Sequence, residues 1–257
     1  MRKTDFSFYS RVKQYTYEQM ARVYREETPH KDIPWTPFEE KLIESKIALI
    51  TIGGITEKTD TPFAEKDKKE NYGPKEINIK SKAEDLQYTA LDWNPSEAEK
   101  DANVIFPAEH LVLMQKEGII GKLNDVAYSF SGFYEKKSTF QESIKNVIVE
   151  LKENENQGAL IIPVSPITAE AGCKMAKQIE KAGVSTVLLT PFYEQALVYS
   201  PPRCAFINFP FGRVLGPANN VTLQTAVLRE LLKLFEKLKI PGEILNLNFI
   251  WSFGEVK

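Results

Sequence analysis

Two runs of the chain are apolar at nearly every position rather than alternate ones, KIALITI at 46–52 and ALIIPV at 159–164, and VSTVLLT at 184–190 reads as a further strand. A strand that is apolar on both faces must be covered on both faces. A parallel sheet packed between two layers of helices does this. The stretches between the strands carry helical spacing. STFQESIKNVIVELKENEN puts Phe140, Ile144, Val147, Ile148 and Leu151 on one face, with Ser138 as candidate N-cap. TLQTAVLRELLKLFEKL aligns Leu223, Val227, Leu231, Leu234 and Leu238 as a core-facing stripe. Helices are also expected over AEHLVLMQKEG and 169–182, strands over DVAYSFSGF, RCAFINF and GEILNLNF, and a short strand or turn over ANVIFP. The alternation predicts an α/β fold, a mostly parallel, doubly wound sheet with right-handed crossovers.

The first 45 residues read differently. TYEQMARVYREE has Tyr17, Met20, Ala21 and Tyr24 on one helical face. ETPHKDIPWTPFEEKL then carries three prolines around an exposed-looking Trp35, which predicts an extended arm. Two readings of the segment Pro29–Phe38 stand: Trp35 anchors an interface, in a homo-oligomer or against a partner, or it covers its own domain. Residues 1–45 are thus expected as a helix plus arm, and 46–257 as the α/β domain. Within that domain, 56–100 is polar, lysine-rich and weakly periodic, a long loop excursion.

Composition excludes several classes. The 33 basic and 35 acidic residues are mixed along the chain, so neither a nucleic-acid surface nor a polybasic membrane patch is expected. No apolar run reaches the roughly 18 residues of a spanning helix, and the N-terminus lacks a signal-peptide core. Cys173 and Cys204 have no metal-ligand spacing, so no metal site is expected. Buried free thiols imply a reducing, cytoplasmic setting.

Ligands of doubly wound sheets bind outside the carboxyl ends of the strands. Three such ends carry polar groups. The first is Gly53-Gly54 followed by Thr56, where glycines allow either close approach to a ligand or a tight turn. The second is VSPITAE. Here Thr168 either caps the next helix, with Glu170 complementing the helix dipole, or joins Ser165 in donating to an anion at the helix N-terminus. The third is NFPFGRVLGPANN, with Asn208, Gly212 and Arg213. Arg213 is placed to grip a carboxylate, while Asn220 or Thr222 accounts for the cap of the last helix. A Ser-His-Asp hydrolase is not expected: His30 and His110 lie at no strand end, and no G-x-S-x-G elbow is present.

The stretches IPWTPF, ALITIGGI, KDANVIFPAEHL, EGIIGKLNDVAYSFSGF, GALIIPVSPIT, NFPFGRVLGPANN and PGEILNLNF, in this order, resemble the selenoprotein B family of glycine, sarcosine, betaine and D-proline reductases. The length and C-terminal end are most similar to the D-proline reductase selenocysteine subunit. The resemblance implies a selenolate that attacks a substrate carbon while a pyruvoyl group on a partner subunit activates the amine. No cofactor is expected on this chain. The family typically places selenocysteine at the strand end, cysteine three residues later and then histidine, with a further histidine after the double glycine. This sequence has Ser165, Thr168, Ala169 and Thr56 at those places. Serine is almost wholly protonated at neutral pH and does not cycle between redox states. The expectation is therefore a diverged, selenium-independent member. It acts on or binds a small amino or carboxylic acid at the carboxyl edge, through Ser165, Thr168 and Glu170 beside Gly53, Gly54, Thr56, Asn208, Gly212 and Arg213. The alternatives are a non-catalytic binding or assembly subunit, or a lyase or isomerase using Glu170 as base.

Overall fold

The computed structural model describes residues 33–63, 73–90, 92–131 and 137–251. The helix expected over TYEQMARVYREE, His30 and the Ser138 cap lie outside the described residues or side chains. An eight-stranded sheet runs β10(Glu243–Asn246), β9(Arg203–Phe206), β8(Ser185–Thr190), β7(Gly158–Pro163), β1(Lys46–Ile52), β6(Val126–Ser129), β3(Lys75–Asn78), and β5(Lys122–Leu123) also pairs with β1. All pairings are parallel except that of edge strand β3 with β6. The expected α/β, mostly parallel sheet is present.

Side chains of each central strand separate into two layers. Ile47, Leu49, Leu160, Ile162, Val187 and Leu189 join one core with helices α1(Ala108–Lys116) and α5(Val221–Lys237). Ala48, Ile50, Ile52, Ala159, Ile161 and Leu188 join the other with α2(Lys137–Glu153), α3(Pro166–Lys181) and α4(Tyr193–Tyr199). The unbroken apolar runs are explained: both faces are covered. Helices α2, α3 and α4 lie on one face, and each moves the chain the same way along the sheet. Helix α5 lies on the other face yet makes the same step from β9 to β10. That last crossover has the opposite hand to its predecessors, so the expectation of uniform right-handedness fails there.

Of the two readings of ANVIFP the turn holds: it is a 3-10 turn, Ala102–Val104. The Asp101 side chain accepts from the Asn103 N–H and holds the turn, while Val104, Ile105 and Phe106 fill the core without a strand partner. Helix α4 was not anticipated; seven residues give too short a period to read, and Ser200 ends it at φ 44°. The excursion after β1 is not a plain loop. It contains β2(Ile55–Glu57) paired antiparallel with β4(Leu86–Tyr88), as well as β3.

Residues 33–38 pack on their own domain. Thr36 is held at both backbone ends: its N–H donates to Glu180 Oε2 at 2.5 Å, and its carbonyl accepts from Arg203 Nη2 at 2.7 Å and Ser185 Oγ at 2.8 Å. Arg203 lies 3.6 Å from the centre of the Trp35 ring, a cation–π stack. Phe38 packs against Phe235 at 4.9 Å. Trp35 is thus half-buried rather than exposed, and it covers its own domain as the second reading held.

Candidate functional site at the carboxyl edge

The chain leaves β1 toward β6 on one side and returns from β6 to β7 on the other, so β1 and β7 flank the topological switch point. Their register pairs Ile52 with Pro163, so Gly53-Gly54 and Val164-Ser165 emerge side by side. The loop after β9 folds back onto this turn: the Gly212 N–H donates to the Val164 carbonyl at 2.8 Å. Gly53, Gly54, Ser165, Thr168 and the Asn208–Arg213 loop therefore share one edge. Thr56 goes elsewhere, into β2 opposite Gln87, buried and with no hydrogen-bond partner for its hydroxyl.

The switch point is sealed by side chains. A Cβ added at Gly53 would meet Ile105 Cδ1 and Val164 Cγ1, each at 3.3 Å. Gly54, at φ 68°, has no room at all, since its Cβ would lie 2.3 Å from the Thr89 carbonyl oxygen. These two glycines serve a tight turn against neighbouring backbone.

Ser165, not Thr168, is the N-cap of α3, and Pro166 opens the helix, three residues earlier than the sequence reading placed it. Ser165 Oγ accepts from the Thr168 N–H at 3.3 Å. Thr168 Oγ1 accepts from the N–H groups of Ser165 at 2.8 Å and Val164 at 2.9 Å, and donates to the Ser165 carbonyl at 3.0 Å. This reciprocal box uses both lone pairs and the proton of Thr168. Both side chains are fully buried. Buried and bonded in this way, the hydroxyls stabilise the turn. Among the described residues no histidine, cysteine or carboxylate bonds to Ser165, and His110 Nε2 is committed to Gln224 Oε1 at 2.7 Å.

Glu170 does not suit the role of a buried base. It is half-exposed on α3 and ion-paired with Lys174, and the hydrogen bond from Lys174 holds its carboxyl below the usual range. Burial pushes the Cys173 thiol up to about 12, and Cys204 well above its ordinary value, so both thiols are inert. Among the described residues no cluster of three metal-ligating side chains forms, and no helix is long and apolar enough to cross a membrane.

A second polar centre, not anticipated from the sequence, clasps the Gly216–Asn220 turn. Asp101 Oδ2 accepts from the Asn219 N–H and from Gln224 Nε2, both at 2.8 Å, and Glu97 Oε2 accepts from the Ala218 N–H at 3.2 Å. Gln224 Nε2 also donates to the Pro217 carbonyl. Its Oε1 must therefore accept, which places a proton on His110 Nε2. Asp101 followed two residues later by Asn103 was a legible turn signal; Gln224, a polar residue inside an apolar helix, was not. An open cleft of about 850 Å³ is lined by Lys58, Tyr88, Lys100 and Glu109 and by none of Gly53, Ser165, Thr168 or Arg213. Lys58 there is bonded to the Glu84 carbonyl and Lys100 to Glu97.

Fold and edge define a doubly wound α/β protein whose strand-end turn is closed by its own cap. The chain belongs to the glycine/sarcosine/betaine reductase selenoprotein B family, whose sequence profile matches residues 16–164, more than half of the chain. The match ends at the residue before Ser165. D-proline reductase subunit gamma of Acetoanaerobium sticklandii is 23% identical over 216 residues, covering 84% of this chain and 88% of that protein. Glycine reductase complex component B subunit gamma of Symbiobacterium thermophilum is 27% identical over 207 residues, 78% of this chain but 48% of that protein. Betaine reductase complex component B subunit beta of Peptoclostridium acidaminophilum is 27% identical over 148 residues, 57% of this chain and 34% of that protein. The chain thus spans most of the D-proline reductase relative and half or less of the other two. No solved structure matches it.

Proposed function

We propose that this protein is a selenium-independent subunit of a multi-subunit, amino-acid-reductase-type assembly, and that it performs no reductive step at Ser165. The observation that carries the reading is the closed cap. At the position where the family resemblance expects the reducing atom and its partner, Ser165 and Thr168 are buried and bonded to each other and to their own backbone. A serine hydroxyl there has neither a base to ionise it nor a path to a substrate carbon. The relatives' names, each a lettered subunit, support membership in an assembly. A pyruvoyl-bearing chain is the partner that the resemblance suggests.

A second reading keeps a ligand. Arg213 stands partly exposed at the carboxyl edge, 4.0 Å from Glu97 Oε1, where a small amino or carboxylic acid would meet a guanidinium. Both readings predict the same outcome in the decisive assay. The purified protein, supplied with a dithiol and either D-proline or glycine, yields no 5-aminovalerate and no acetyl phosphate. Production of either by the chain alone overturns the proposal. Calorimetry with D-proline, glycine and betaine then separates the readings: binding that is lost in Arg213→Ala supports the ligand, and no heat supports assembly alone.

A further inference from the structure

The small ribbon of β2 and β4 has one unpaired strand edge, and all three residues of β4 line the open cleft of about 850 Å³. The register fixes which backbone groups point outward. The Lys58 N–H bonds to the Asp85 carbonyl and the Thr89 N–H to the Gly54 carbonyl, each at 2.8 Å, and Thr56 lies opposite Gln87. Alternation along an antiparallel pair then turns the N–H and C=O groups of Leu86 and Tyr88 away from β2. The Leu86 N–H is used by the Ala83 carbonyl in the preceding 3-10 turn. That leaves the Leu86 carbonyl, the Tyr88 N–H and the Tyr88 carbonyl without a partner among the described residues. The far edge of the ribbon is covered instead: the Ile55 N–H donates to Ser129 Oγ at 3.0 Å, and Glu57 Oε1 accepts from the Asn78 N–H at 3.0 Å. The cleft's charges divide in the same way. Its lysines are committed, Lys58 to the Glu84 carbonyl at 2.6 Å, Lys82 to Glu84 at 3.6 Å and Lys100 to Glu97 at 3.0 Å. Glu99 and Glu109 have no ion-pair partner among the described residues, and Glu109 accepts only a neutral amide bond, from Asn103 Nδ2 at 3.1 Å.

We propose that this cleft takes an extended, basic peptide segment of another protein chain, which adds to β4 as a third strand and sets lysine or arginine against Glu99 and Glu109. A row of alternate unpaired N–H and C=O groups is complementary to extended backbone, and strand addition at an open edge is the general way such a row is filled. The volume falls within the roughly 300–1,000 Å³ of sites that enclose a ligand. Three residues of edge span only about 10 Å, and an edge that short does not recruit a strand unaided. The two unpaired carboxylates supply what the short ladder lacks, selecting a cationic segment and steering its approach. The site shares no residue with the Ser165 turn, so the inference goes beyond the reading proposed above and does not depend on it.

The test measures fluorescence anisotropy of labelled hexapeptides with the full chain at low salt. The basic peptide Lys-Val-Lys-Val-Lys-Val is expected to saturate, and the acidic peptide Glu-Val-Glu-Val-Glu-Val to bind at least tenfold more weakly. The basic peptide is also made with backbone N-methyl groups on its valines alone or on its lysines alone. Alternate N–H groups of a strand face opposite edges, so one of these two patterns should weaken binding at least tenfold and the other should leave it nearly unchanged. The double variant Glu99→Gln/Glu109→Gln should keep the wild-type circular dichroism and bind the basic peptide at least fivefold more weakly. Failure of the basic peptide to saturate at millimolar concentration overturns the proposal, as does equal binding of the two methylated forms. Spermine carries charge without a peptide backbone; if it displaces the peptide as well as unlabelled peptide does, charge alone is being read and the proposal falls. If the wild type is a dimer that the basic peptide dissociates, the occupant is a second copy and the proposal falls as well. None of these failures touches the reading of the Ser165 turn, which is tested by product formation.

Discussion

Glu180→Gln should be among the most destabilising single changes available in this protein, although Glu180 belongs to none of the motifs read from the sequence. Its carboxylate accepts four hydrogen bonds: from Arg203 Nη1 at 2.5 Å, the Thr36 N–H at 2.5 Å, the Thr186 N–H at 2.7 Å and Thr186 Oγ1 at 3.1 Å. Neither partner of the Arg203–Glu180 pair reaches solvent. Burial pushes the Glu180 carboxyl up, with Arg203 opposing, and burial pushes the Arg203 guanidinium down. Both charges are tolerated because each answers the other. Glutamine preserves the volume and one acceptor but leaves Arg203 as an uncompensated buried cation, which costs about 3–5 kcal/mol.

In a protein of this size that loss lowers Tm by roughly 2–4 °C per kcal/mol, or about 6–20 °C in all. Urea unfolding at neutral pH, followed by circular dichroism, measures it. The double variant Glu180→Leu/Arg203→Met removes both charges and should recover most of the loss. Recovery will not be complete, because the Thr36 N–H then lacks its acceptor at a cost of about 1–3 kcal/mol. A loss below about 1 kcal/mol for Glu180→Gln refutes the reasoning. So does a double variant whose loss equals the sum of the two single ones, since that means the charges do not depend on each other.

Three further outcomes are expected. Thr168→Val removes the acceptor of two buried N–H groups and should cost about 2–4 kcal/mol in urea unfolding; a near-neutral effect would mean that the cap is not closed as described. Gly54→Ala forces a side chain into left-handed backbone and against the Thr89 carbonyl, and should cost at least about 2 kcal/mol or abolish soluble expression. Burial opposes ionisation of Asp101, but hydrogen bonds from Gln224, Asn219 and Asn103 outweigh it and hold the carboxyl below its ordinary value. Its contribution is therefore complete above the unfolded value of about 3.9 and is lost as pH falls through the lower folded value. Asp101→Asn should be less stable than wild type at pH 7, with a shallower acid decline below about pH 4; parallel pH–stability curves would count against this.

How much of this was legible depends on how local each signal is. The strands at 46–52 and 159–164 and the stripe of α5 were read correctly because burial of a whole run depends on the run itself. The edge shared by Gly53, Ser165 and Arg213 followed from topology, since ends of parallel strands lie together. Thr56 escaped that rule because the chain turns at Gly54, at φ 68°, into a separate small sheet. The Arg203–Glu180–Thr36 clamp and the Asp101–Gln224–His110 chain were not legible. Their hydrogen-bonded pairs are separated by 23 to 167 residues, and no periodicity or spacing marks such a contact. Trp35 misled for the same reason: prolines around a tryptophan announce a rigid anchor, but not whether Arg203 of the same chain will receive it.

The turn at Val164–Ser165 caps its helix in one of two chemical ways open to such a strand end. A helix N-terminus presents unsatisfied N–H groups that something must accept. An ionised chalcogen there would be stabilised by those donors and the helix dipole, and would remain reactive toward a ligand above it. A serine followed three residues later by a threonine accepts the same donors with neutral hydroxyls, and each side chain closes the other's bond. Both arrangements cap the helix, so the sheet, the switch point and the returning loop after β9 persist under either one. Stability does not distinguish them; ionisation does. Ser165→Cys should show which property this turn keeps. Ser165 is buried and the returning loop covers the turn, so the introduced thiol should titrate above its ordinary value of about 8.5 and react slowly with a maleimide in the folded protein. A thiol that titrates below about 7 and labels rapidly would mean that the turn opens and retains an anion-stabilising site. The assembly-only reading would then give way to one in which this edge binds the reacting group.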